Sequence, residues 1–341
     1  MNDLAAAAEA FRAFVEQLAR DARVVVLHDF DADGVTAGVV LQRALERARF
    51  TNAERLIPTR ARDAWEPANR ALLAARNPAA LFVLDLGSRS EPLIDGPTCF
   101  IDHHRPDGVP AGALLISAYA WDPIPNTSLL TYELCASIAD VRELDWIAAI
   151  GVLSDLGERA PFPLLASVRE RHSMKDLKEA TALVNAARRA SDYRSEIAAR
   201  ALLEHDSAHA FVTSSGEDVA SMREARAEVQ RELAIAKMAA PKFAGNVALI
   251  RVTSKCQVHP VIAQIWRTRL PKYFVIVAND GYVPGRVNFS MRSAPGANAL
   301  DFLSAIDLGE GEGSYAHGHD QATGGSLPIE RWELLLAKLG F

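Results

Sequence analysis

Three short apolar runs in this chain each stop at ionisable residues. Val24-Val25-Val26-Leu27 runs into His28-Asp29-Phe30-Asp31-Ala32-Asp33-Gly34, Leu81-Phe82-Val83-Leu84 into Asp85, and Thr98-Cys99-Phe100-Ile101 into Asp102-His103-His104. Unbroken apolar runs of this length read as strands buried on both faces, which is the signature of a parallel sheet. Between them lie segments with helical periodicity, Val35–Arg49 and Pro67–Arg76. A short strand is expected over Arg55–Pro58 and another over Leu114–Ser117. Helices are expected over Ser128–Ile138 and Leu144–Leu153. Strand–helix alternation implies an α/β fold with helices on both faces of a mostly parallel sheet. Ligands of such sheets bind beyond the C-terminal strand ends, where the strand order reverses. Those are the ends at which the acids and imidazoles fall.

The 341 residues suffice for two domains with ordinary cores. Residues 166–206 read as wholly helical, and Gly216–Ala240 as a charged helix that Pro241 stops. A second α/β unit follows, with strands Val247–Val252 and Tyr273–Val277 around helix Val261–Arg269. Arg286–Arg292 alternates Val287, Phe289 and Met291 against Asn288 and Ser290, as a half-buried strand does. Ala299–Ile306 is expected to be a helix, Gly309–Gly325 a glycine-rich loop, and a last helix closes the chain. The expected division is a parallel-sheet domain over 1–190, a helical connector over 191–240 and a smaller C-terminal α/β domain over 241–341.

Net charge is −6, so the chain as a whole is no general binder of polyanions. Its charge is uneven: Lys242–Arg292 holds eight Lys/Arg and one acid, Asp280. A basic stretch in an acidic chain points to a local phosphate-binding face. Cys99, Cys135 and Cys256 are scattered without a CxxC pair, which excludes a disulfide framework and a cysteine zinc site and fits a reducing cytoplasm. The Ala-rich start of the chain lacks a basic n-region, and no apolar run approaches the roughly 18 residues of a membrane span.

Asp29-Phe30-Asp31-Ala32-Asp33-Gly34 begins like an EF-hand loop, but position 12 would be Val40 rather than Glu, and a strand precedes it. Three acids after a buried strand repel one another, and a multivalent cation resolves that repulsion. Asp85 and Asp155 are each ambiguous alone, as a helix cap or a helix end. Together the set is five or six carboxylates and two histidines. Mostly oxygen ligands with some imidazole favour two Mn²⁺ ions, with Mg²⁺ or Co²⁺ as alternatives. Two such ions would generate hydroxide and clamp a phosphate for in-line displacement.

In order, Asp29-x-Asp31-x-Asp33-Gly34, Asp85, Asp102-His103-His104 and Asp155 resemble motifs I to IV of the DHH phosphoesterase superfamily. The stretch His317-Gly318-His319-Asp320-Gln321-Ala322-Thr323-Gly324-Gly325 resembles the signature of the DHH-associated C-terminal domain, with His317 where that signature begins with Gly. The compact first motif followed by Val35-Thr36-Ala37 resembles the RecJ-like single-strand exonuclease branch. The resemblance implies Asp29, Asp31, Asp33, Asp85, His103 and Asp155 as metal ligands, with Asp85 bridging. It implies Asp102 as a catalytic-site carboxylate that orients an imidazole, and His104 as a group beside the scissile phosphate.

In the C-terminal domain, Gly318 and Gly324 would let backbone N–H groups approach an anion, and His319 would add a charged contact. Arg292 offers a fork for a terminal phosphate, with Ser290, Arg286 and His259 as further substrate-binding candidates. Trp266, Tyr273 and Tyr282 are candidates for base stacking. The implied activity is a Mn²⁺-dependent phosphodiesterase acting on single-stranded DNA or RNA from an end. The alternatives are a phosphoesterase for short oligoribonucleotides, pAp or cyclic dinucleotides, and a non-catalytic nucleic-acid-binding scaffold. No membrane partner is expected.

Overall fold

The computed structural model of the chain describes residues 3–60, 63–309 and 315–341, with the backbone alone at His317 and His319. The chain divides into two compact units, Met1–Arg188 with Tyr193–Arg223, and Arg189–Asp192 with Glu224–Phe341.

The first unit is built on β1 (Val24–His28), β2 (Ala53–Leu56), β3 (Ala80–Leu84), β4 (Thr98–Asp102) and β5 (Leu114–Ser117). Their order is β2-β1-β3-β4-β5, and every neighbouring pair is parallel. Successive side chains in a strand point to opposite faces. Val24, Val26, Phe82, Leu84, Cys99 and Ile101 therefore share one core. Val25, Leu27, Leu81, Val83 and Phe100 share the other.

The helices of the unit are α1 (Leu4–Glu16), α2 (Ala32–Arg47), α3 (Pro67–Arg76), α4 (Thr127–Cys135), α5 (Asp145–Asp155), α6 (Leu164–Val168), α7 (Met174–Arg189), α8 (Ser195–Glu204) and α9 (Ala208–Thr213). The first core is filled by Phe11 of α1, Val39 of α2, Leu134 of α4 and Ile147 of α5, among others. The second face has a thinner cover, Leu73 of α3 with Trp65 and Leu93 from loops. No helix interrupts the β3–β4 or β4–β5 connection. The helical run expected over 166–206 breaks at 169–173 and again at 190–194. At the second break Tyr193 takes a left-handed backbone, φ 46°, which no helix continues through.

From β1 the chain moves to β2 on one side of the sheet, then crosses back to β3 on the other. The strand order thus reverses between β1 and β3, and the loops after both strands open at that point. Helix α2 lies close over these loops because it carries glycines. A Cβ on Gly34 would meet Asp29 Cβ at 2.5 Å, and one on Gly38 would meet the His28 ring at 2.2 Å.

Helix α10 (Glu217–Ala236) passes from the first unit into the second. The second unit has a six-stranded sheet of β6 (Lys242–Ala244), β7 (Val247–Val252), β8 (Phe274–Asn279), β9 (Arg286–Arg292), β10 (His317–His319) and β11 (Ala322–Pro328). The order is β10-β11-β9-β8-β7-β6. Only β7 and β8 pair in parallel, joined by α11 (His259–Arg269); the other pairs are antiparallel. Val287, Phe289 and Met291 point into one core with α12 (Ala299–Ser304) and α13 (Ile329–Leu339).

The glycine-rich stretch departs from expectation. Residues 310–314 lie outside the described residues, but 317–319 and 322–328 form a β-hairpin, not a loop. The glycines serve close backbone packing there. A Cβ on Gly324 would meet the Phe289 carbonyl at 2.5 Å, and one on Gly325 the Tyr315 carbonyl at 2.1 Å. Strand β6 was also illegible, being only three residues long.

Three helices meet closely at Gly151 of α5, where a Cβ would lie 2.4 Å from Ser128 Cβ and 2.6 Å from Thr36 Oγ1. Overpacking of this kind costs about 1–3 kcal/mol. Gly151→Ala is expected to destabilise the first unit by that amount in chemical or thermal denaturation. An unchanged midpoint would show that α2, α4 and α5 are not locked together here.

Candidate metal centre

Each candidate ligand sits where a strand stops or a helix begins or ends. Asp29 follows β1, and its N–H donates to the Leu84 carbonyl at 3.0 Å, so β1 and β3 stay paired to the last residue. Asp31 caps α2: its Oδ1 accepts from the backbone N–H groups of Asp33 and Gly34 at 3.0 and 3.2 Å. Asp33 lies in the first turn of α2. Asp85 follows β3 with φ 62°, in the left-handed region. Asp102 ends β4, His103 and His104 follow it, and Asp155 is the last residue of α5. Asp29, Asp31, Asp33, Asp85, Asp102 and His103 are buried, and Asp155 stands at the rim with 27 % of its side chain exposed.

The structure brings these residues together. Three sets of ligand atoms lie within 4.8 Å of one another: Asp85, His103 and His104; Asp33, His103 and Asp155; Asp29, Asp31 and Asp85. His103 is common to the first two sets, and Asp85 to the first and third. His103 Nε2 lies 3.3 Å from Asp85, 3.7 Å from Asp33 and 3.9 Å from Asp155. Adjacent ligands of an octahedral ion with bonds of about 2.1 Å stand about 3 Å apart, so small side-chain movements would close these sets on divalent ions. The donors are carboxylate oxygens with imidazole nitrogen, a set suited to a divalent ion of the Mn²⁺ or Mg²⁺ type.

Asp102 occupies a different position. Its Oδ1 accepts from the His104 backbone N–H at 2.6 Å and lies 2.8 Å from His104 Nδ1. Its Oδ2 accepts from Gly87 N–H at 2.6 Å. One carboxylate thus orients the His104 ring and ties the loop after β3 to the end of β4.

The electrostatics of the cluster are those of crowded acids. Burial, then the carboxylates of Asp85, Asp155 and Asp31, hold the Asp33 carboxyl well above the usual range, opposed by the Ser128 N–H. Burial, then Asp31 and Asp85, push Asp155 up to about 7. Burial disfavours charge on His103, yet its hydrogen bond to Asp85 and the nearby acids raise it above an ordinary histidine. Burial likewise opposes ionisation of Asp102, but His104, His103 and the His104 N–H outweigh it and keep the carboxyl well below the usual range. Protons gather on the cluster where a cation would otherwise sit.

Residues that the sequence did not single out hold these groups in place. Asp33 Oδ1 accepts from Asn126 Nδ2 and from Ser128 N–H, both at 2.6 Å, and Oδ2 accepts from Thr127 N–H at 3.0 Å. Thr127 Oγ1 donates to Asp85 Oδ1 at 2.9 Å. Asn126 also caps α4 through Leu129 N–H. The Asn-Thr-Ser triplet is a cap signature; what it caps toward is set by tertiary structure alone. Arg188 Nη2 lies 3.9 Å from Asp31 Oδ2. His28 donates from Nδ1 to the Asp29 carbonyl at 2.7 Å. Burial, then Arg55, lower its pKa to about 3, so its ring is neutral and not a competing cation.

The second unit holds the other candidates. Arg292 ends β9 and donates to the Met291 carbonyl at 2.9 Å; burial, then Arg267, lower its pKa to about 10. Ser290 pairs with Gly324, and Gly318 takes φ 131° in β10. The side chain of His319 lies outside the described residues. Arg286 stands at the opposite end of β9, roughly 20 Å from Arg292 at strand rise. It is bound to Ser326 Oγ at 2.8 Å and to the Ser326 carbonyl at 2.6 Å. His259 opens α11 with its ring 5.8 Å from that of Tyr282.

The raised Asp155 pKa has a consequence for stability. An unfolded Asp titrates at about 4. Between about 4 and 7 the folded, metal-free protein therefore binds a proton that the unfolded chain does not. The associated stability is present below that window and is lost as pH rises through it. Melting in chelator is expected to fall from pH 4 to pH 7, Asp155→Asn to flatten the slope, and a divalent ion to restore stability at pH 7. A metal-free protein whose profile matches that of Asp155→Asn would remove Asp155 from the repelling cluster.

Residues 23–152 match the family described as "DHH family, N-terminal domain". The single-stranded-DNA-specific exonuclease RecJ of Dickeya dadantii (strain 3937) is 27 % identical over 152 residues, covering 40 % of this chain and 26 % of that protein. The structure of RecJ in complex with Mn²⁺ from Thermus thermophilus superposes with a TM-score of 0.72 at 18 % identity, over 98 % of this chain and 54 % of that one. A manganese-bound structure of exonuclease RecJ gives 0.63 at 19 % identity, over 97 % of this chain and 92 % of that one. The chain thus spans about a quarter of the curated relative and about half of the Thermus protein. Residues 23–152 form a DHH family N-terminal domain, and the fold of the chain is similar to that of RecJ.

Proposed function

We propose that the chain is a phosphodiesterase that hydrolyses single-stranded nucleic acid from an end, using two divalent ions, preferentially Mn²⁺, held by the first unit. The observation that carries this reading is the overlap of the three ligand sets through Asp85 and His103. Asp29, Asp31, Asp33, Asp85, His103 and Asp155 would hold the ions, Asp85 being common to the set with Asp29 and Asp31 and to the set with His103. Bound there, the ions would supply an activated water and neutralise charge at phosphorus. The chain's own residues do the rest. Asp102 orients the His104 ring, which donates a proton to the departing sugar oxygen as the P–O bond breaks. Asn126, Thr127 and Ser128 fix Asp33 and Asp85 so that the ligands are held before substrate arrives.

The second unit, with Arg292, Ser290, Gly318, His319 and Gly324, is read as the substrate-binding domain. Arg292 supports this as a half-buried cation beside a second arginine. Arg286 contributes through strand packing, since Ser326 occupies its guanidinium.

The test is a substrate panel with the purified chain: end-labelled 30-mers of DNA and RNA, their duplexes, a dinucleotide, pAp and cyclic dinucleotides, each with Mn²⁺, Mg²⁺, Co²⁺ or chelator. Stepwise cleavage of single strands with Mn²⁺ is expected, with duplexes spared. Cleavage of the dinucleotide or pAp alone would overturn the strand substrate, and no cleavage of anything would favour a binding scaffold. Asp31→Asn retains a capping oxygen while removing the ligand charge. It is expected to keep the melting behaviour of the metal-free protein and to lose at least roughly 100-fold in rate, as even indirect supports of a metal ligand cost up to that much. His104→Ala should lose about 10²–10⁴-fold with metal binding retained.

A further inference from the structure

The second unit carries a surface that the metal centre and its substrate groups do not use. From Lys237 to Asn279 the sequence holds seven Lys/Arg and no acid. Strand β6 is the edge of the sheet, and its central residue Phe243 is 52 % exposed. Register places Phe243 opposite Ala248 and so on the other face from Lys242 and Ala244. Its ring lies 5.0 Å from that of Tyr273, which directly precedes β8. Each ring of this pair has a lysine beside it in the chain, Lys242 and Lys272, both exposed.

The cations continue into the end of α11. Arg269 stacks on the part-exposed Trp266 ring at 5.2 Å. Two hydrogen bonds, Leu270 N–H to the Trp266 carbonyl at 2.8 Å and Tyr273 N–H to the Leu270 carbonyl at 3.1 Å, fold the turn that joins Trp266 to Tyr273. Among the described residues Lys242, Lys272 and Arg269 form no ion pair.

We propose that Phe243, Tyr273 and Trp266, with Lys272 and Arg269, form a stacking platform for the unpaired bases and phosphates of a single nucleic-acid strand. The idea rests on the reading of the chain as a nuclease of single strands, and adds a contact outside its reacting centre. Every base has a π-face, so exposed rings interleaved with cations hold a strand without regard to sequence. Charge decides the class of occupant. An apolar surface for another protein sheds lysine, whereas here the exposed cations Lys272 and Arg269 accompany Tyr273 and Trp266. A substrate of one or two nucleotides held at the metal centre would have no need of such a platform; a longer strand would.

The test is binding of a fluorescently labelled 30-mer of dT to the full chain in chelator, at several salt concentrations. Base stacking is worth about 1–3 kcal/mol per base. The Phe243→Ala, Tyr273→Ala double variant is therefore expected to weaken binding by at least tenfold while cleaving a dinucleotide at the parent rate. Lys272→Gln should reduce the slope of log affinity against log salt by about one. Phe243→Ala alone removes an exposed ring and serves as the check against misfolding, judged by circular dichroism. If the parent protein binds and cleaves the 30-mer and these variants bind it equally well, the platform is wrong and the nuclease reading stands. If the parent binds no 30-mer at all, both fall. A concentration-dependent dimer abolished by Phe243→Ala, with strand binding intact, would make the surface a contact between copies of the chain.

Discussion

The arrangement of the first unit depends on one buried carboxylate. Asp33 belongs to α2, yet its oxygens are held by Asn126 Nδ2 and by the Thr127 and Ser128 N–H groups at the start of α4. An ionised carboxylate without partners is prohibitively costly inside a protein, and the open N–H groups of a helix start are equally costly when buried. Each satisfies the other. The pairing fixes α2 to α4 across 93–95 residues of sequence, and Thr36 and Ser128 reinforce it through a 2.7 Å hydroxyl contact one turn along. Glycine at position 151 lets α5, which carries Asp155, close over the same point.

This scaffold sets acids against one another and keeps them there. The strand ends fix Asp29, Asp85 and Asp102, the start of α2 fixes Asp31 and Asp33, and Asp155 faces them from the rim. Raised affinities for protons at Asp33 and Asp155 record that confinement. Clusters of this sort trade stability for function: the fold supplies the strain, and a cation relieves it. Asp102 escapes the pattern because two backbone N–H groups and a histidine ring surround it.

Much of this could be read along the chain, and the parts that could not share a physical cause. Strands β1, β3 and β4 announce themselves as apolar runs, because both their faces are buried, and the acids at their ends stand out by contrast. The acids and histidines that the structure gathers at these ends were legible for the same reason. Asn126, Thr127 and Ser128 were not, because a cap reads identically whether it faces water or a carboxylate nearly a hundred residues away. Arg188 gives no local signal at all. The hairpin of β10 and β11 was hidden by its glycines: in sequence they suggest a free loop, whereas here a side chain would strike the Phe289 and Tyr315 carbonyls. The basic stretch told of charge, but only the pairing of β6 and β8 on either side of β7 brought Phe243 to Tyr273.

Asp85 stands in a left-handed backbone that most side chains resist, and that asparagine, aspartate and glycine tolerate. Two independent filters therefore act on this one position, one chemical and one conformational. They differ in what they admit: the chemistry accepts Asp, while the backbone accepts Asp, Asn and Gly alike. On the proposed reading of the site, a lineage that abandoned hydrolysis but kept the fold would be released from the first filter and still bound by the second. Asn or Gly at this place in a related chain would then mark a silent site in a sound fold, while a leucine or valine would mark a loop that had been rebuilt.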